Sequence, residues 1–136
     1  MAEDKSFHCK VITPEREVFN GTVQGVVLPG AEGQFGVLTG HTPYLSTLDI
    51  GEIKVEQKDE TMYVACSGEF VEISDNVTTV LAETAELEEE IDVERAKEAR
   101  ERALERLEKD DTSEIDEARA RQALERAENR LAIVEE

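Results

Sequence analysis

Across residues 7 to 87 the apolar positions come in short runs that alternate with polar ones. In Glu52-Ile53-Lys54-Val55-Glu56 every second side chain is apolar, the pattern of a strand with one buried and one solvated face. Residues 61–66 and 77–82 are further strand-like runs. The turn candidates Gln57-Lys58-Asp59-Glu60 and Ser74-Asp75-Asn76 precede them. Many short strands at this spacing predict an antiparallel β-sandwich or flattened barrel over residues 1–87.

From residue 88 to 136 the pattern changes. All eight glycines, three prolines and six aromatics lie before Leu87, and the stretch after it is dominated by Ala, Leu, Glu and Arg. Strong helix formers over residues 91–109 and from 114 to about 134 predict two helices. The break at Asp110-Asp111-Thr112-Ser113 is short enough to make them an antiparallel hairpin, so the fold class is α+β. The string E-I-D-x-x-R-A occurs twice, from Glu90 to Ala96 and from Glu114 to Ala120. It opens a helix: the aspartate caps free N–H groups, and the isoleucine before it folds back as a hydrophobic staple. The apolar stripe is thin. It comprises Ala96, Ala99, Ala103 and Leu107, with Leu104 beside it, and then Ala120, Ala123, Leu124, Ala127, Leu131 and Val134. Alanine buries little area, so the hairpin is expected to be weakly held and able to open.

Charge narrows the partners. A formal charge of −18 over 136 residues repels nucleic acid and anionic lipid. No apolar run is long enough to span a bilayer, and the first residues, Met1-Ala2-Glu3-Asp4-Lys5, do not resemble a secretory signal. A cytoplasmic protein without direct membrane insertion is expected. Cys9 and Cys66 stand apart without a zinc-type cluster and are expected to be small buried hydrophobes. No bound metal and no nucleophile–base set are expected, so the chain has no catalytic residues of its own. Arg16 is the sole arginine before residue 95, whereas eight follow in the hairpin. Pairing with glutamates one turn away, as in Glu98–Arg102 and Glu117–Arg121, accounts for many of them. Arg126 and Arg130 stand four apart, a repulsive spacing that this pairing does not explain.

Gly30-Ala31-Glu32-Gly33-Gln34-Phe35-Gly36-Val37-Leu38, then Gly40-His41-Thr42-Pro43-Tyr44-Leu45, the order of parts, and Ile91-Asp92-x-x-Arg95-Ala96 together resemble the epsilon subunit of bacterial F-type ATP synthases. The resemblance spans essentially the whole chain. It implies a non-catalytic central-stalk rotor subunit at the cytoplasmic face of the membrane. Its sandwich would bind the gamma subunit and sit on the c-ring, with Glu32, Gln34 and His41 at the c-ring interface. Gln34 stands where some relatives carry an acid. His41 has a second reading, as a residue that satisfies turn backbone groups. In some relatives the folded hairpin binds one ATP without hydrolysing it. By that likeness Glu86, Ile91, Asp92, Arg95, Ala96, Arg102, Arg126 and Arg130 are candidate nucleotide ligands, with arginine forks for the phosphates. Glu86 and Asp92 would accept from the adenine amino group or a ribose hydroxyl. The extended hairpin would reach the alpha/beta catalytic head and inhibit hydrolysis, and ATP would favour the folded form. The alternative is a free-standing helical-hairpin adaptor.

Overall fold

The computed structural model describes residues 5–109 and 113–135. The expectations for Met1–Asp4 and for Asp110, Asp111 and Thr112 fall outside the described residues. Eight strands come first: β1 (Phe7–Ile12), β2 (Glu17–Val23), β3 (Gly25–Gly30), β4 (Gly33–Val37), β5 (Tyr44–Thr47), β6 (Ile50–Glu56), β7 (Thr61–Ser74) and β8 (Val77–Leu87). A 3-10 turn (Glu88–Glu90) leads into α1 (Val93–Leu107) and α2 (Glu114–Val134). This is the β body followed by a helical pair that the periodicities predict.

Hydrogen bonds link the strands in the order β2-β1-β8-β7-β6-β3-β4, with β5 paired to β7. Both predicted turns are present. Gln57 N–H donates to Glu60 O at 2.8 Å. Asp75 and Asn76 take φ of 51° and 62°, the left-handed pair that a two-residue hairpin needs. One expectation is corrected. The body is mixed rather than wholly antiparallel, because β1 runs parallel to β8, with His8 opposite Val77 and Ile12 opposite Leu81. A hairpin forces its two strands to run antiparallel, but β1 and β8 are joined through the whole body and no turn fixes their sense.

β7 is long enough to serve two partners. Its first half pairs with β6 and its second half, Phe70 to Ile73, pairs with β5. Its register against β8 shifts on both sides of Gly68. Such bulges bend a strand and raise its twist, which lets one ribbon pass through both layers. A Cβ on Gly68 would lie 2.4 Å from Cβ of Leu48, so only glycine lets the layers close here. Alternate residues from most strands meet in one core, among them Cys9, Val11, Leu28, Ile53, Val55, Val64, Val71 and Val80. Both cysteines are buried and free, and burial pushes each thiol up to about 12, so they pack as inert small hydrophobes.

Helix α1 is shorter than expected at both ends. Asp92 Oδ1 accepts the Arg95 N–H at 3.2 Å, which makes Asp92 the cap and leaves Ile91 extended. The repeat does not open α2 in the same register. There Ser113 Oγ accepts from the Asp116 N–H at 3.2 Å, so Asp116 already lies inside the first turn, where its charge still favours the dipole. The staples do not form: Ile115 is 67% exposed, and Ile91 packs on Ala65 and Ile133 instead.

The hairpin seam is thin, as the alanines imply. Ala96 and Ala103 of α1 and Ala120, Ala127 and Leu131 of α2 are buried, whereas Leu104 is exposed. Four alanine methyls contribute about 0.8 kcal/mol each, roughly 3 kcal/mol together. α2 is the helix that lies on the body, against β6 and β7. The apolar part of that contact is small: Ala65, Ile91 and Ile133, with Tyr63 and Val134 at its margin. Ile133 is missing from the predicted stripe and is fully buried. Two polar ties flank it. Asn129 Nδ2 donates to Gly51 O at 2.8 Å, and the Arg130 guanidinium pairs with Glu86.

Replacing Gly68 with valine is expected to destabilise the chain by about 1–3 kcal/mol through the clash with Leu48. Gly36→Ala, where the nearest atom to the new methyl is 4.0 Å away, should stay within about 0.5 kcal/mol. Thermal denaturation of the two variants measures the difference. Ile133→Ala is expected to cost the hairpin about 2–5 kcal/mol of docking. Amide exchange should then quicken in α2 while protection at Val64 and Val80 is unchanged.

Candidate functional site

Two groups of predicted residues are each brought together. The first is a cleft of about 170 Å³ between the end of β8 and the hairpin, lined by Glu86, Asp92, Arg95, Ala96, Arg102 and Arg130. Local folding explains the convergence. Asp92 is at the cap of α1, and Arg95, Ala96 and Arg102 follow it at helical spacing, so one face of α1 presents them. Glu86 comes from the last residues of β8, and Arg130 comes from α2 on the far side. Ala96 is buried and forms a small floor. Arg102 lines the cleft rather than pairing with Glu98; among the described residues that ion pair is not formed, whereas Glu117–Arg121 is.

Ile91 and Arg126 sit differently. Ile91 is buried in the small apolar cluster with Ala65 and Ile133 and supports the cleft from below the cap. Arg126 is half-buried one turn before Arg130 and is not among the lining residues. The two acids are already engaged: Glu86 accepts from Arg130 Nε, and Asp92 accepts from the α1 backbone. A carboxylate has further acceptor positions, so each can bond a second donor. Three guanidinium groups against two carboxylates make a locally cationic cleft on a chain of charge −18. Arginine forks match phosphate oxygens, and the acids match amino or hydroxyl donors.

The second group lies at the β3–β4 hairpin. Glu32, Gln34, Phe35, His41, Tyr44 and Ser46 line a concavity of about 360 Å³. Gly33 has φ of 132°, open to glycine and costly for other residues, which explains the glycine after Glu32. The two readings of His41 meet here. Its Nδ1–H donates to Thr42 O at 2.6 Å, which satisfies a turn carbonyl and leaves Nε2 available to another partner. The Tyr44 ring lies 6.1 Å from the imidazole and 5.6 Å from Phe35, edge to face in the latter pair. Behind the loop, Asn76 Oδ1 accepts the Gly40 N–H at 2.8 Å and its amide donates to Thr39 Oγ1 at 3.2 Å. The β7–β8 turn therefore props the loop that carries His41. Leu38 and Leu45, 67% and 65% exposed, flank it with apolar surface that the sequence reading did not single out. Large apolar side chains in a polar turn-rich stretch were the available signal.

Two further contacts went unread in the sequence. Asn129 fastens α2 to Gly51, and Arg16 forms a two-bond ion pair with Glu90. That hydrogen-bonded guanidinium and the Leu87 N–H hold the Glu90 carboxyl below the usual carboxylate range. The signal for Arg16 was its isolation in the β half. Among the described residues no helix is long and apolar enough to cross a membrane, and no metal-holding cluster of acids, histidines and cysteines occurs.

The arrangement matches known proteins over residues 6–135. Residues 6–88 match the β-sandwich domain of the ATP synthase delta/epsilon chain, and residues 89–135 match its long α-helix domain. The ATP synthase epsilon chain of Pelotomaculum thermopropionicum is 48% identical over 106 residues, covering 78% of this chain and 79% of that one. The epsilon chain of Carboxydothermus hydrogenoformans is 50% identical over 98 residues, covering 72% and 73%. Among solved structures, a chain of the Euglena gracilis mitochondrial ATP synthase (OSCP/F1/c-ring, rotational state 1) superposes with a TM-score of 0.78 at 25% identity, covering 91% of this chain and 78% of that one. A chain of the Tetrahymena thermophila mitochondrial ATP synthase central stalk and c-ring shares the fold, with a TM-score of 0.61 at 12% identity over 93% and 95% of the two chains. With both domains matched in order and bacterial epsilon chains at nearly half identity, the chain belongs to the delta/epsilon family of ATP synthase chains, whose members are non-catalytic subunits of that complex.

Proposed function

We propose that this chain is a rotor subunit of an F-type ATP synthase at the cytoplasmic face of the membrane. In this reading its β body couples gamma to the c-ring, and its hairpin restrains ATP hydrolysis. The observation that carries the regulatory part is the small contact between hairpin and body, with Ile133 at its centre. A contact of that size can be broken by competing surfaces in a large assembly, which a broad core could not. Folded on the body, the hairpin leaves the catalytic head free. Extended along gamma, it brings its arginines to acidic segments of the head.

ATP is the proposed ligand of the cationic cleft. Arg95 and Arg102 from α1 and Arg130 from α2 would share the phosphates, and Glu86 and Asp92 would take hydrogen bonds from the base or sugar. The ligand would bridge α1, α2 and β8, three elements that stay together only in the folded form. It would therefore shift the population toward that form by its differential affinity alone. Arg126 would join from the next turn of α2 through a rotamer change. Glu32, Gln34 and His41 would meet polar loops of the c-ring. Gln34 would contribute a hydrogen bond rather than a salt bridge, and Leu38 and Leu45 would add apolar area beside them.

Hydrolysis by the assembled head, with the whole chain and with the chain ended after Leu87, tests the restraint. The shortened chain is expected to assemble and to leave hydrolysis uninhibited; equal inhibition by both removes the hairpin from the mechanism. Titration of ATP into the isolated chain tests the cleft. Arg130→Ala is expected to weaken binding about tenfold or more, since a bond to a charged group is lost. Absence of binding at millimolar ATP would discard the nucleotide reading.

A further inference from the structure

The end of β8 has a weak side. Its pairing with β1 stops at Leu81, while its pairing with β7 continues to Leu87 opposite Val64. Residues 82–87 are therefore fastened by a strand on one edge alone. Arg16, in the turn between β1 and β2, reaches into this gap. Its Nη1 and Nη2 each donate to Glu90 at 2.8 Å, and Nη2 also approaches Ala85 O at 3.4 Å. Glu90 is the last residue of the 3-10 turn, and its Oε1 also accepts the Leu87 N–H at 3.0 Å. One carboxylate thus ties the turn to itself and to a loop 74 residues away in sequence. The nearby Glu15 and Glu86 add attraction for the same guanidinium.

We propose that the Arg16–Glu90 pair is a clasp standing in for the missing strand, holding residues 82–90 on the body so that the hairpin pivots at Ile91–Asp92. The inference rests on the mobile-hairpin reading above, and it adds where the motion starts. Geometry gives the reason for a defined pivot. Ile91 is extended and packs in the small cluster of Ala65 and Ile133, with Tyr63 and Val134 at its margin, and Ile133 and Val134 leave with the hairpin. Once Ile133 is gone, Ile91 keeps only the small Ala65 methyl and the margin of Tyr63 as its described apolar seat, whereas Glu90 keeps both of its bonds to Arg16. Without the clasp the separation would run back along the open edge of β8 and carry Glu86 away from its place at the cleft. With the clasp, Glu86 stays on the body and meets Arg130 again each time the hairpin returns.

Amide exchange in the full chain tests this. Arg16→Gln is expected to quicken exchange at Leu87 and Ile91 roughly two- to fivefold, the range of an exposed ion pair, with Val71 and Val80 unaffected. The charge-keeping R16K should retain most of the protection that R16Q loses, because Glu90 still accepts the Leu87 N–H and still faces a cation, which a loss of packing at position 16 would not allow. If R16Q leaves both amides unchanged while α2 exchanges faster than β7 in the unaltered chain, the clasp is wrong and the mobile hairpin stands. If α2 in the unaltered chain exchanges as slowly as Val80, the mobile hairpin is wrong and the clasp falls with it.

Discussion

In the proposed two-state reading, the seat of one side chain, Ile133, sets the balance between docked and released hairpin. Fully burying a branched side chain is worth about 1.5–3 kcal/mol, and here it packs with Ala65 and Ile91, with Tyr63 and Val134 at the margin. A ligand present at a hundredfold excess over its dissociation constant stabilises the form it binds by about 2.7 kcal/mol. The two quantities are of one size, so in that reading docking and release would lie within reach of an ordinary small-molecule equilibrium.

The body has the opposite character. Its core draws on most of its strands, and β7 runs through both layers, bent at Gly68, where no side chain fits. Rigidity there matters at both ends of the sheet. At one end Gly30 and Gly33 close the hairpin beside Glu32, Gln34 and His41; at the other, Gly25 pairs with Glu56 next to the 57–60 turn. A loop propped by Asn76 at one end and a cleft wall fixed by Glu86 at the other share one stiff sheet. In the proposed rotor, a load applied at the loop would pass through this shared sheet.

Local chemistry was legible in the sequence, and long-range partnership was not. The period of two around Ile53 and Val55, the Asp75-Asn76 turn and the change of composition at Leu87 each report on neighbouring residues, and the structure follows them. The cap at Asp92 was legible for the same reason. The parallel pairing of β1 with β8 was not, because nothing within either strand encodes its direction relative to a partner 69 positions later. Ile133 was overlooked because the α1–α2 stripe passes through Leu131 and Val134, while the body-facing side of α2 is a second, shorter stripe. The cleft was found through resemblance: Asp92, Arg95 and Arg102 belong to one helix face, but only the fold brings Glu86 and Arg130 opposite them.

The place of β1 between β2 and β8 also bears on how the molecule is made. During synthesis β1 finds β2 at once, a pairing between near neighbours in the chain. Its other edge waits until residues 77–81 have been added, since those are its remaining partner. Until then a hydrophobic strand presents unpaired backbone groups, the condition that invites wrong association. The body can close only when nearly all of it exists, and the helices are made after it.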